Sequence, residues 1–378
     1  MSAESTRRTD RPPAGDGRRG WRRGMKAVAW TAAVLVVLGG AGLGYVYLTF
    51  NGNIRSVDID RLLGSDRPGK ADDGSENILV LGSDTRSGGN KELGGGTDDG
   101  TARSDTAMIV HVHEGRDEAS VVSVPRDTLV DRPRCTGTGG GTRPAANGVM
   151  FNSAYTTGGA ACAVKTVESM TGLRMDHYLE VDFSGFRELV DELGGVEITT
   201  TEDIDDPDSH LKLAAGTHRL DGAQALGLVR TRHSIGDGSD LGRIRLQQAF
   251  VRALVQQVGD IGLLTDPKKL YDITDTATRA LTTDSGLGSV NSLMAFAGGL
   301  RGIDPAGLHM VTMPVRYDPA DPNRVVPETE KARLVWDALR NDEPIPGAVT
   351  DRTATSEPRT SSAPRERPPE GRSPAASP

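Results

Sequence analysis

Four short clusters combine arginine with aspartate, and each stands where an apolar run gives out or begins. Gly82-Ser83-Asp84-Thr85-Arg86 closes the run Ile78-Leu79-Val80-Leu81, and Arg103-Ser104-Asp105-Thr106 opens Ala107-Met108-Ile109-Val110. Pro125-Arg126-Asp127-Thr128 follows Val121-Val122-Ser123-Val124. The fourth cluster is Arg230-Thr231-Arg232-His233, with Asp240-Leu241-Gly242-Arg243 after it. Guanidinium forks bind phosphate bidentately, and paired carboxylates hold a divalent cation. If the fold brings these element ends together, the product is a site for a metal-bound pyrophosphate.

Each cluster has a plainer use. An Asp beside a Thr closes many ordinary turns, and arginines at a helix end complement its dipole. Repetition of one arrangement at three strand ends weighs against the turn explanation, and Arg243 and Arg245 add more cations than a dipole needs. Arg230 and Arg232 would not share a face of an intact helix, so the helix is expected to stop between them and let both converge. Asp127 either orients Arg126 or faces solvent. Asp240 either accepts a proton or holds an arginine. His233 receives no role.

The elements that must position these residues can be read from the apolar periodicity. Residues 77–82, 106–113 and 119–124 have the β-branched content of buried strands. A helix is expected over 160–171, a strand over 177–183, a helix over 184–193 capped by Ser184, and a strand over 196–199. Another helix runs toward Arg230, and an amphipathic one covers 242–258, with Ile244, Leu246, Phe250 and Leu254 on one face. The alternation predicts an α/β fold, a layered α/β/α domain around a central mixed sheet. Before it come a disordered basic tail at 1–26, a transmembrane helix at 27–50 and a polar stalk at 51–76. The domain itself is expected over 77–343, with its motif core at 77–258. The Pro-rich segment 344–378 reads as disordered.

Residues 27–50 carry no charge, long enough for the roughly 20 residues that span a bilayer. Seven Arg and Lys26 against Glu4, Asp10 and Asp16 give the preceding tail +5, so the positive-inside rule keeps the N-terminus cytoplasmic and the rest outside. The overall −8 less that +5 leaves −13 on the outer portion, which argues against nonspecific nucleic-acid binding. Cys135 and Cys162 both fall there. An oxidising exterior favours a disulfide between them; the alternative is two buried thiols, and two cysteines are too few for a zinc site. The chain has no Walker-type Gly-x-x-x-x-Gly-Lys-[Ser/Thr] loop, no Gly-x-Ser-x-Gly and no His-Glu-x-x-His.

Taken in order, residues 77–86, 103–106, 123–128, 178–195 and 229–243 resemble the LytR-CpsA-Psr family of cell-wall assembly proteins. The resemblance implies a membrane-anchored, extracytoplasmic phosphotransferase. Such an enzyme moves a glycopolymer, such as a teichoic acid, from a polyprenyl pyrophosphate carrier onto peptidoglycan through a phosphodiester. Carried onto this chain, Asp84 and Asp105 would ligate Mg²⁺ (or Mn²⁺), and Arg126, Arg230 and Arg232 would clamp the pyrophosphate. Arg86, Arg103 and Arg243 would surround it, and Asp240 is a candidate base. The Gly-rich insertion between Asp84 and Arg103 departs from the family pattern and bears on Arg86. Two further classes share these residues: a hydrolase that releases the polymer or pyrophosphate, and a noncatalytic scaffold or regulator.

Overall fold

A computed structural model describes residues 37, 40–84, 103–231, 240–260 and 266–350; for 84, 103, 105, 240, 260, 348 and 350 it describes the backbone alone. The chain divides into two units, residues 1–53 and 54–378. In the first, residues 40–53 are helical, and Leu43, Tyr45 and Leu48 are exposed. Half of the expected membrane span, residues 27–36 and 38–39, lies outside the described residues. Among the described residues, no helix is long and apolar enough to cross a membrane.

The second unit is built on a seven-stranded mixed sheet. Its strands in chain order are β1 (Arg55–Val57), β2 (Glu76–Asp84), β3 (Arg103–Val112), β4 (Ala119–Ser123), β5 (His177–Asp182), β6 (Leu281–Asp284) and β7 (Leu308–Thr312). In space the order is β1-β6-β5-β2-β3-β4-β7. β2 pairs antiparallel with β3 and parallel with β5, β3 pairs antiparallel with β4, and β4 pairs parallel with β7. The central strands read as continuous apolar runs because helices cover both faces.

On one face, Leu79, Leu81, Ile109 and Val122 pack against α1 (Phe151–Thr171) through Val164 and Val167. They also pack on Val335, Trp336 and Leu339 from the later helix Thr329–Arg340. Burying each of these aliphatic side chains contributes about 1.5–3 kcal/mol. On the other face, Met108 and Val121 join a cluster that includes Val251 and Val255. Those two come from the long helix Asp240–Asp260, so the layering is α/β/α. A second, smaller core gathers Val190, Ile198, Leu220, Leu228 and Phe250. It is shared by α2 (Phe183–Glu192), α3 (Gly222–Arg230), the long helix, here α4, and the ribbon 196–200/216–220. The helix Thr329–Arg340 is α5.

Several boundaries differ from the sequence expectation for physical reasons. Residues 55–57 form the edge strand, and Ile59 and Leu63 of the short helix after it enter the main core, so this part of the 51–76 segment is folded into the domain. Val349, in the helical turn Gly347–Thr350, is likewise in the core. α1 contains the expected helical segment from 160 to 171, preceded by a further segment from Phe151 and separated from it by a kink where Gly158 and Gly159 leave helical geometry. There Thr138 N–H donates to the Gly158 carbonyl at 2.9 Å. A Cβ on Gly159, which has φ +68°, would fall 2.4 Å from Thr138 Oγ1. The kink seats the loop that carries Cys135, and Cys135 and Cys162 are joined by a disulfide. α2 starts one residue earlier than expected. Its cap is therefore Asp182, whose carboxylate accepts from Gly185 N–H at 2.8 Å, and not Ser184.

Candidate active site

The described residues of the first three Arg/Asp clusters stand at one end of the sheet, where β2 ends, β3 begins and β4 ends, and Arg230 of the fourth is drawn toward the same end. The β2–β3 register pairs Asp84 with Arg103, and Ser83 with Ser104. Gly82 pairs with Thr106, so Asp105 is the extra residue of a β-bulge. The strand opens three residues before the expected start at 106, which places Asp105 inside it. A bulge bends its strand and re-aims the residue it carries, a device common beside active sites. The backbone thus sets residues 84, 103 and 105 around one turn of the ladder, as the antiparallel pairing of strand end and strand start anticipates. Two carboxylates there are hard oxygen donors, and that donor chemistry fits a small divalent cation.

Arg126 is held through its main chain. Thr128 Oγ1 donates to the Pro125 carbonyl at 2.6 Å, and Asn152 N–H, in the first turn of α1, donates to the Arg126 carbonyl at 3.1 Å. The side chain is mostly covered, with Nε 3.5 Å from Asp127 Oδ2. Asp127 also faces Arg324 at 3.7 Å, so it orients arginines and does not simply face solvent.

α3 ends at Arg230, between the two arginines as expected, because Thr231 turns to extended backbone. The Thr231 hydroxyl donates back to the Gly227 carbonyl at 2.9 Å and meets Ser209 Oγ at 2.9 Å. The Arg230 guanidinium sits 5.4 Å from the centre of the Phe183 ring, a cation–π distance. Phe183 follows Asp182, which pairs with Ser83 next to Asp84. Gln247 of α4 closes the arrangement from the other side: its Nε2 donates to Thr106 Oγ1 and to the Val229 carbonyl, each at 2.9 Å. One side chain therefore ties the bulge strand to the residue before Arg230. Arg243, one turn earlier on α4, is buried. Asp240 opens that helix. Arg86, Arg232 and His233 lie outside the described residues.

A buried network beneath this end escaped the sequence reading. Tyr155 donates to Glu180 Oε1 at 2.6 Å, Tyr178 donates to Glu180 Oε2, and Ser83 Oγ reaches Tyr155 Oη at 3.4 Å. Burial, with the Glu180 charge added, pushes both phenols well above their usual range, so they remain donors. The network fixes Ser83, the residue before Asp84. The available signal was Tyr178 and Glu180 at i and i+2, one face of a strand. Gln247 left no comparable trace, because a Gln on an amphipathic helix reads as its solvent face.

Cell wall biosynthesis protein LcpA of Corynebacterium glutamicum is 33% identical over 317 residues, 77% of this chain and 60% of that protein. The chain thus spans well under two thirds of that relative's length. Polyisoprenyl-teichoic acid–peptidoglycan teichoic acid transferase TagT of Bacillus subtilis is 29% identical over 335 residues, 85% of this chain and 95% of that one. The LytR-Csp2A-Psr enzyme from Actinomyces oris shares the fold, with a TM-score of 0.56 at 22% identity over 76% of this chain and 96% of that structure. The model of the LytR_cpsA_psr family matches residues 46–341, a stretch that contains every cluster described above. The chain belongs to the LytR-CpsA-Psr family.

Proposed function

We propose that this chain is a membrane-anchored, extracytoplasmic phosphotransferase that moves a glycopolymer from a polyprenyl pyrophosphate carrier onto peptidoglycan. The observation that carries the reading is the Gln247 bridge, which draws the helix bearing Arg230 to the bulge bearing Asp105. It supports one composite site made from clusters 125 residues apart in sequence, as Asp105 and Arg230 are. TagT, named as a transferase of teichoic acid to peptidoglycan, agrees with that use of the fold. The uncharged run at 27–50 supports the anchor.

In the reaction, an acceptor hydroxyl oxygen on peptidoglycan attacks the phosphorus attached to the sugar. The P–O bond to the second phosphate breaks, polyprenyl phosphate leaves, and the hydroxyl proton passes to Asp240 or another carboxylate of the site. Arg126, Arg230 and Arg232 neutralise the charge that spreads over the phosphoryl oxygens, with Arg86, Arg103 and Arg243 assigned around them. Asp84 and Asp105 would hold Mg²⁺ or Mn²⁺, which when bound neutralises charge between the two phosphates.

The test is turnover of a polyprenyl-pyrophosphate-linked oligosaccharide by the full chain, with Mg²⁺ and uncross-linked peptidoglycan glycan present. Arg230→Ala is expected to slow turnover at least a hundredfold while leaving the protein folded. Undiminished turnover in that variant overturns the assignment. A wild-type chain that binds the lipid without turning it over would instead be a scaffold.

A further inference from the structure

The opposite end of the same hairpin carries a second convergence of chemistry-bearing side chains. His111 in β3 and His113, the first residue past the end of that strand, both turn toward Asp342. Asp342 lies just past the end of α5. His111 Nε2 and His113 Nδ1 lie 2.9 and 2.7 Å from the same oxygen, Asp342 Oδ1. All three donor atoms fall within 4.8 Å of one another.

The outer side of each ring is also engaged. His111 Nδ1 is 2.9 Å from Asn77 Oδ1, and His113 Nε2 is 3.0 Å from Ser120 Oγ. Asn77 and Ser120 are the two cross-strand partners of His111, one on each neighbouring strand. With both outer nitrogens donating to these oxygens, both inner nitrogens present lone pairs, and so does the carboxylate. In that tautomer three acceptors face one point, and a cation between them satisfies all three; in the other tautomer both inner N–H groups donate to Asp342. Imidazoles whose far nitrogen is fixed by a hydrogen bond to oxygen are the usual supporting arrangement of a metal site.

The backbone shows that Asp342 is placed there at some cost. It adopts φ +54°, the left-handed region, which costs a non-glycine residue about 1–2 kcal/mol and which Asp tolerates better than most. Its second oxygen accepts from Glu114 N–H at 3.2 Å. His111 is fully buried, whereas the side chains of His113 and Asp342 keep 12% and 17% of their surface, so the cluster opens on one side.

We propose that His111, His113 and Asp342 form a binding site for a divalent cation of the zinc class. Two imidazole nitrogens and one carboxylate oxygen are a donor set that Zn²⁺ and Co²⁺ accept readily. Mg²⁺ prefers an octahedron of oxygens and keeps its waters. Water fills the remaining position from the open side. Such an ion ties the residue after α5 to β3, about 20 Å from the Asp84–Asp105 end at ~3.3 Å per residue. It is therefore a structural site, independent of the transfer reaction.

Cobalt substitution of the metal-stripped full chain in detergent tests this. Co²⁺ is expected to bind one per chain, with visible d–d bands of four-coordinate N/O ligation, and Zn²⁺ should displace it while millimolar Mg²⁺ does not. Zn²⁺ should also raise Tm. Asp342→Asn and His113→Gln should each weaken binding tenfold or more. Absence of the bands in the wild-type chain overturns the site without reliance on any variant. So does Co²⁺ affinity unchanged in Asp342→Asn, which would place the ion elsewhere and leave Asp342 as an acceptor of two imidazole N–H groups.

Discussion

The two ends of the central sheet differ in what holds their charged residues in place. At the end where β2 starts, charged side chains are paired with each other across long stretches of chain. Arg67 meets Glu168 at 2.6 Å, His177 meets Asp284 at 3.2 Å, and Lys70 meets Asp176 at 3.3 Å. At the end where β2 finishes, the fixing bonds run to main chain around the charged residues: to the carbonyls of Pro125, Arg126, Gly227 and Val229. The first pattern welds elements together. The second sets the backbone of Arg126 and Arg230 in place, which is what a site needs when its charges are meant for a ligand. The difference teaches that charge alone does not mark function; what the surrounding bonds hold still does.

Substitutions at the two ends should therefore separate stability from turnover. The largest effect is expected for Glu168→Ala, which removes the buried carboxylate partner of Arg67, leaving that guanidinium only exposed Asp60 and the Met175 carbonyl, and also removes the acceptor of Met175 N–H at 3.0 Å. Unfolding in denaturant should show a loss of about 3–5 kcal/mol, with turnover per folded molecule unchanged. Arg230→Ala reverses the pattern: a hundred- to thousandfold fall in kcat, about 3–4 kcal/mol, with the unfolding midpoint nearly kept. Comparable losses in both measurements for both variants would erase the distinction between the ends.

The disulfide comes next. Cys135 and Cys162 are 27 residues apart, and replacing both with Ser should cost about 3 kcal/mol in the same unfolding assay. Gln247→Ala sharpens the comparison from the catalytic side. Loss of two buried hydrogen bonds should lower stability by about 1–2 kcal/mol, but kcat should fall by more than that figure alone explains. A variant whose kcat follows only the folded fraction would make Gln247 a packing residue.

The smallest effect concerns pH at the welded end. Burial alone would lower the pKa of His177, but the hydrogen bond and charge of Asp284 outweigh it and raise the value. Burial alone would raise Asp284, but the His177 hydrogen bond and the Tyr178 and Gly286 N–H groups outweigh it and lower the value. The histidine's contribution is full below its unfolded pKa and fades as pH rises through the folded one. The aspartate's contribution is present above its unfolded pKa and is lost as pH falls through the folded one. Stability measured against pH should thus be highest in the mildly acidic to neutral window. Asp284→Asn should flatten its alkaline side by on the order of 1 kcal/mol or less.

At the candidate-site end the strands were legible in the sequence, because the Arg/Asp clusters sit at the margins of apolar runs long enough to define β2, β3 and β4. The helix break after Arg230 followed from the spacing of two arginines. The bulge at Asp105 was not legible, since it exists only in the register between two strands. The welded end was nearly silent: His111 and Asp342 are 231 residues apart, and a lone histidine in an apolar run looks like any core residue. Strand β1 is three residues long, too short for a period to show.

The most direct test of the account follows the phosphorus. The wild-type full chain, given Mg²⁺, a polyprenyl-pyrophosphate-linked oligosaccharide and uncross-linked peptidoglycan glycan, would be read by phosphorus NMR with mass spectrometry of the products. The account predicts a new phosphodiester joining oligosaccharide to glycan, formed in step with polyprenyl phosphate. Free sugar phosphate with no linked product would contradict it and make the chain a hydrolase.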